Sequence, residues 1–206
     1  TPLYSSAASD VYKRQQFSVM GSSRLANEYG MNRILSTGGI PVPDIIHVSI
    51  PDRVLLERYI PGRNVASLVK LASSSDQLSA GDYELASQIG RTMAMIHSIG
   101  VTIGDSKPEN FVLSVDRKVY SLDLEQAGKK GDKAWDVSEF LFYSGHYSPL
   151  MTQGLSQFVD GFVEGYSEIG ERGVLRRAAG IGYIKVFSIW TAPTVIYRIA
   201  ERLRRA

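Results

Sequence analysis

The chain has 206 residues, 44% of them hydrophobic and 21% charged, with a formal net charge of +2. That balance excludes a disordered polyelectrolyte and leaves room for one domain, or for two small lobes sharing a hinge. Cysteine is absent, which removes disulfides, thiolate nucleophiles and cysteine-rich zinc sites and fits a cytoplasmic setting.

The first residues carry no basic segment, apolar run and small-residue cleavage site, so no secretory signal is expected. Residues 1–15, "TPLYSSAASDVYKRQ", resemble translated adapter sequence of the kind found at the start of reading frames assembled from environmental reads. They are expected to be foreign to the fold, with the native beginning missing.

From Ser22, "SSRLANEYGMNRILSTGG" predicts a helix with Leu25, Tyr29, Ile34 and Leu35 on one face, Glu28 in its middle and Gly38-Gly39 as its stop. The turn-rich "GIPVPD" then leads to "IIHVSI" and "RVLLERYI", read as a strand pair that "PGRN" ends. A short helix is expected over 65–71, and the polar "SSSDQLSAGD" reads as a loop or cap. In "YELASQIGRTMAMIHSIG" the periodicity puts Ala86, Ile89, Met93, Ile96 and His97 on one helical face, closed by Gly100. Next come "TIGDSKPENF" and a hairpin of "FVLSV" and "KVYSLDL" joined by "DRK". From about Ala134 the chain reads as helical, with breaks near Gly145, Gly170 and Pro193.

Asp105, Lys107 and Asn110 lie on one loop, and Asp123 ends the hairpin that begins there. Since a hairpin returns its second strand to its origin, Asp123 is expected beside Asn110, giving two oxygen ligands suited to Mg²⁺ or Mn²⁺. Asp105 would then accept a proton from an attacking hydroxyl, and Lys107 would neutralise a phosphoryl group in transfer. Taken alone, Asp-Ser-Lys-Pro is an ordinary surface turn; the joint pattern of helix, Asp-to-Asn spacing, hairpin and Asp123 gives it meaning.

Those residues carry a family resemblance. "GDSKPEN" resembles the protein-kinase catalytic loop, in which the base Asp precedes a metal-binding Asn by five positions and a Lys two positions after the Asp marks the Ser/Thr-directed type. Asp123 in "SLDLEQA" is similar to the metal-binding Asp of the DFG element, "RLANEYGMNRIL" to the αC helix with Glu28 as its ion-pairing acid, and "VLLERYIPG" to the strand and hinge that hold adenine, with Glu57, Arg58 and Tyr59 at the hinge. The resemblance runs from about Ser22 to Gly165 and is nearest the small atypical kinases: the KEOPS-complex kinase, the RIO kinases and the lipopolysaccharide core kinases. Only twelve residues separate Asp123 from Asp136, which resembles the helix-borne Asp that braces the catalytic loop. A long activation segment has no room there.

The resemblance implies an α+β, bilobal protein-kinase-like fold, with an incomplete N-lobe and hinge over 16–62 and a mainly helical C-lobe with a C-terminal extension over 63–206. It implies transfer of the γ-phosphate of ATP to a hydroxyl with Mg²⁺ or Mn²⁺, by a Ser/Thr protein kinase on the strength of Lys107. The alternatives are a sugar or small-molecule kinase, and a non-catalytic nucleotide-binding module in an RNA or protein complex. The chain also departs from the pattern. Ile103 and Gly104 replace the loop's His and Arg, Leu124 and Glu125 replace the Phe and Gly after the metal Asp, and no glycine-rich loop or β3 Lys precedes Glu28, Lys13 falling in the foreign segment. A truncated and inactive kinase is therefore an expectation too.

Lys185 and Pro193 interrupt the apolar tail, so a buried helix pair is expected rather than a membrane span. The basic ending "YRIAERLRRA" offers a contact for RNA or a protein complex, or is simply the solvated end of an amphipathic helix.

Overall fold

A computed structural model describes residues 21–206; residues 1–15 and Lys13 within them lie outside the described residues. The first helix, α1 (Gly21–Thr37), ends two residues before Gly39, whose φ of +74° reverses the chain. It buries Leu35 and the polar Asn32, whereas Tyr29, expected on the apolar face, is exposed. Asn32 can be buried because its side-chain amide donates to the Pro43 carbonyl at 2.8 Å.

Strands β1 (Ile45–Ser49) and β2 (Val54–Glu57) form an antiparallel pair with an irregularity between Ile45 and His47. The second apolar run stops pairing three residues before its apolar end. A third strand, β3 (Gly62–Asn64), takes up the stretch read as a terminator and joins β4 (Phe111–Ser114) and β5 (Val119–Ser121) in a three-stranded antiparallel sheet. Three polar residues give no alternation to read, and their strand character comes from the edge that β4 offers.

The helix α2 (Val65–Ser74) starts at Asn64, whose side chain accepts the Ala66 N–H at 2.8 Å. Ser79 caps α3 (Ala80–Ser98) in the same way. Ala86, Ile89, Met93, Ile96 and His97 are all buried on α3, as the periodicity requires. Two 3₁₀ turns, at Pro108–Asn110 and Gly145–Tyr147, flank α4 (Lys133–Ser144) and the hairpin before it. The chain ends in α5 (Gln153–Ile169), α6 (Arg172–Ala178), α7 (Ile181–Phe187) and α8 (Pro193–Arg205). Gly145, Gly170 and Pro193 thus stand at helix boundaries.

The main core lies between α3, α4 and α5. Backbones of α3 and α5 approach so closely that a Cβ at Gly90 would lie 2.1 Å from the Phe162 carbonyl oxygen, and one at Gly165 1.9 Å from that of Ser87. Phe140 then stacks on Phe162 at 5.0 Å between ring centroids and meets Phe111 edge-on at 5.5 Å. Through Phe111 the sheet that bears the "GDSKPEN" loop is anchored in the helical core.

No helix of the described residues is long and apolar enough to cross a membrane. The apolar tail forms the separate helices α7 and α8. Two of its arginines are tied into the fold, Arg202 to Asp160 at 2.8 Å and Arg204 to the Ala179 carbonyl at 3.1 Å.

Candidate active site

The site is built on a buried anchor. Asp136, in the first turn of α4, is fully buried; its Oδ1 accepts the Gly104 N–H at 2.9 Å and its Oδ2 the Ile103 N–H at 2.7 Å. His97 Nε2 lies 2.9 Å from the same Oδ2, and His97 Nδ1 lies 2.8 Å from the Tyr166 hydroxyl. Helices α3, α4 and α5 thus hold the loop backbone from beneath.

Gly104 supplies what an Arg could not at this position. Its φ is +83°, and a Cβ there would lie 2.3 Å from the Gln126 carbonyl oxygen. One residue on, Asp105 pairs with Lys107, Oδ1 to Nζ at 2.8 Å. Burial opposes the charge of Lys107, yet Asp105, then Glu139, raise its pKa. The Asn110 side-chain amide donates to the Asp105 carbonyl at 2.9 Å, which leaves its oxygen as the end open to a ligand.

The hairpin closes onto this loop, the Leu122 N–H donating to the Asn110 carbonyl at 2.8 Å. Asp123 follows in the left-handed region, φ +52°, a conformation that costs a non-glycine residue about 1–3 kcal/mol. Partial desolvation and then the charge of Asp105 raise its pKa, against Arg24 and Lys107.

Glu28 reaches the same place from α1. Burial, then Glu57, then Asp123 push its pKa up to about 8, and a hydrogen bond with the Leu124 backbone pulls it down. Glu57 is raised likewise, by burial first and by Asp123, while Asn32 donates to it at 3.4 Å. Glu28, Glu57 and Asp123 line a cleft of about 520 Å³ together with Arg24, Arg53 and Glu125. The other two residues assigned to the hinge send their side chains elsewhere. Arg58 pairs with Asp44 at 3.0 Å and Tyr59 is 81% exposed, so both could serve a ligand there through their backbone alone.

Several residues of the candidate site gave little or no sequence signal. Arg24 forks onto Glu125, with Nε at 2.7 Å from Oε2, and the Asn27 side-chain amide donates to the Glu125 and Ala127 carbonyls, each at 2.8 Å. These bonds fasten the segment after Asp123 to α1. Glu139, one turn past Asp136, accepts the Ser106 N–H at 2.7 Å and the Ser106 hydroxyl at 3.2 Å. Its i, i+3 spacing from Asp136 was the available signal.

A divalent cation is tested by the donors present. Asn110 and Asp123 offer an amide oxygen and a carboxylate, hard ligands beside carboxylates that repel one another. No group of three His, Cys, Asp or Glu among the described residues is arranged for a metal ion. The donors therefore suit a cation shared with a phosphate ligand rather than an all-protein cage.

No family model matches the chain, and no curated protein matches it. Among solved structures it is similar to the protein WbdD in a co-crystal with the kinase inhibitor LY294002, with a TM-score of 0.50 at 12% identity over 93% of this chain and 44% of that one. A second structure, of the bifunctional kinase-methyltransferase WbdD, gives a TM-score of 0.49 at 12% identity over 92% of this chain and 43% of that one. The chain spans less than half the length of either structure. The likeness is one of fold: an α+β chain with a kinase-like neighbour.

Proposed function

We propose that this chain is the core of an ATP-dependent phosphotransferase of bilobal, protein-kinase-like architecture that phosphorylates a hydroxyl. The observation that carries the reading is the convergence of Asp105, Lys107, Asn110 and Asp123 on one loop and hairpin, with the loop backbone clamped by Asp136. Asp105 takes the proton of the attacking hydroxyl while the new O–P bond forms and ADP leaves with the electron pair of the broken bond. Lys107 leaves Asp105 to face the phosphoryl oxygens. Asn110 and Asp123 would hold Mg²⁺ or Mn²⁺, which neutralises phosphate charge when bound. Arg24 and Arg53, on the cleft with Glu28 and Glu57, are the cations at hand for the remaining phosphates, and the backbone over 57–59 is assigned to adenine.

Lys107 speaks for a Ser/Thr-directed protein kinase. A second reading, a small-molecule kinase, is favoured by an aromatic cavity that opens beside Asp105 and Lys107.

Calorimetric titration of ATP with Mg²⁺ or Mn²⁺ into the chain and into Asp123→Asn tests the reading. Metal-dependent binding that the variant loses is the expected result. Binding to neither would sink it. Asp105→Asn should bind nucleotide as before and lose transfer by about 10²–10⁴-fold.

A further inference from the structure

Ser106 separates Asp105 from Lys107 and faces the other way. It is fully buried, whereas the side chains of Asp105 and Lys107 keep 29% and 39% of their surface exposed. With Ser106 turned inward, its two neighbours turn outward together, and Asp105 Oδ1 meets Lys107 Nζ at 2.8 Å. Both then line the cavity that opens beside the loop.

Glu139 is what holds Ser106 inward. Its Oε2 accepts the Ser106 N–H at 2.7 Å and shares the Ser106 hydroxyl, at 3.2 Å, with the Asp136 carbonyl at 2.7 Å. Asp136 holds Ile103 and Gly104 from the turn before, so α4 grips the loop on both sides of Asp105. Glu139 is 6% exposed, and a buried acid is costly where an apolar side chain could fill the space. Its place is more costly still beside Asp105: burial, then that charge, push its pKa up to about 8. Both bonds use Oε2, so a proton on Oε1 leaves them intact.

We propose that Glu139 is a positioning residue of this site: by taking both donors of Ser106 it keeps that residue turned inward and so holds Asp105 and Lys107 side by side. Its action on the two runs through Ser106. That the pair then performs a transfer rests on the phosphotransfer reading. In that reaction Asp105 takes the hydroxyl proton while Lys107 moves to the phosphoryl oxygens, and fixing where both side chains start preorganises the step.

The test compares the chain with Glu139→Gln, Glu139→Ala and Ser106→Ala, each checked for its fold by far-UV circular dichroism. A limiting amine-reactive acetyl ester is added, and label at Lys107 is read by mass spectrometry against Lys118, which pairs with Asp116 at 3.2 Å. Glu139→Ala should raise the Lys107-to-Lys118 ratio by about two- to fivefold, the range that a part-exposed ion pair spans. Glu139→Gln, whose amide oxygen replaces Oε2, should leave the ratio unchanged. Ser106→Ala keeps the N–H bond, should fall between the two, and stands in for Glu139→Ala where that variant does not fold. Any other pattern, above all a rise in Glu139→Gln or none in the alanine variants, would overturn the proposal. Release of labelled phosphate from ATP to water is the second readout: kcat should fall about tenfold in Glu139→Ala and recover in Glu139→Gln, with KM for ATP unchanged. A change in KM alone would reduce Glu139 to a structural acid and likewise overturn the proposal. No turnover by the parent chain would sink the phosphotransfer reading and leave the lysine labelling to decide on Glu139.

Discussion

Asp136 accepts the backbone N–H of Gly104 at 2.9 Å across 32 residues of sequence, and the same carboxylate holds Ile103. A carboxylate buried in the core thereby fixes the shape of a largely buried loop. Removing it strands two backbone donors and His97.

Asp136→Ala should lower stability by about 3–5 kcal/mol, measured by urea unfolding. A loss below about 1 kcal/mol would mean that the loop holds its shape without this anchor.

The pH dependence follows from Glu28 and Glu139, both raised from 4.5 to about 8. In the window between, the folded state keeps protons that the unfolded chain has released. The stability these groups contribute is whole below pH 4.5, declines as pH rises and is gone above about pH 8. Each proton adds a slope of at most about 1.4 kcal/mol per pH unit. Glu139→Gln, which keeps an acceptor for Ser106, should flatten the profile by one such step. An unchanged profile between pH 5 and 8 would place the burden elsewhere.

Arg24→Ala cuts the fork onto Glu125. That pair is part-exposed, 42% and 24% for the two side chains, so global stability should fall by less than about 1 kcal/mol. Hydrogen exchange at Glu125 to Ala127 should nevertheless speed up, and nucleotide affinity should drop about tenfold if Arg24 meets a phosphate, at roughly 1.4 kcal/mol per decade. Unaltered exchange would show that Asn27 alone suffices.

Gly104→Ala meets both a φ of +83° and the Gln126 carbonyl. Strain and overlap together should cost roughly 2–4 kcal/mol and displace Asp105, so thermal unfolding and transfer should both suffer. A variant as stable as the parent would mean that the loop backbone can shift to accept a side chain.

Much of this was legible in the sequence because it is local. The face of α3 follows from a 3.6-residue period, the caps of α2 and α3 from an Asn and a Ser, and the hairpin from two β-branched runs around a turn. The loop was legible as spacing, since Asp105, Lys107 and Asn110 share one turn. Strand β3 was not, because three polar residues become a strand only when β4 supplies the edge. Nor was Tyr29, because amphipathic periodicity fixes which residues share a face and not whether anything covers it.

The helices, the hairpin and the spacing of Asp105, Lys107 and Asn110 could be read from chain order, because interactions within a few residues set them. Tertiary contacts alone make Glu28, Glu57 and Asp123 repel one another, tie Arg24 to Glu125 and set Trp135, Tyr143 and Trp190 along one cavity. Those groups come from segments as much as 101 residues apart. Whether a carboxylate is paired, neutralised or left to repel its neighbours depends on distance and burial, which chain order does not carry.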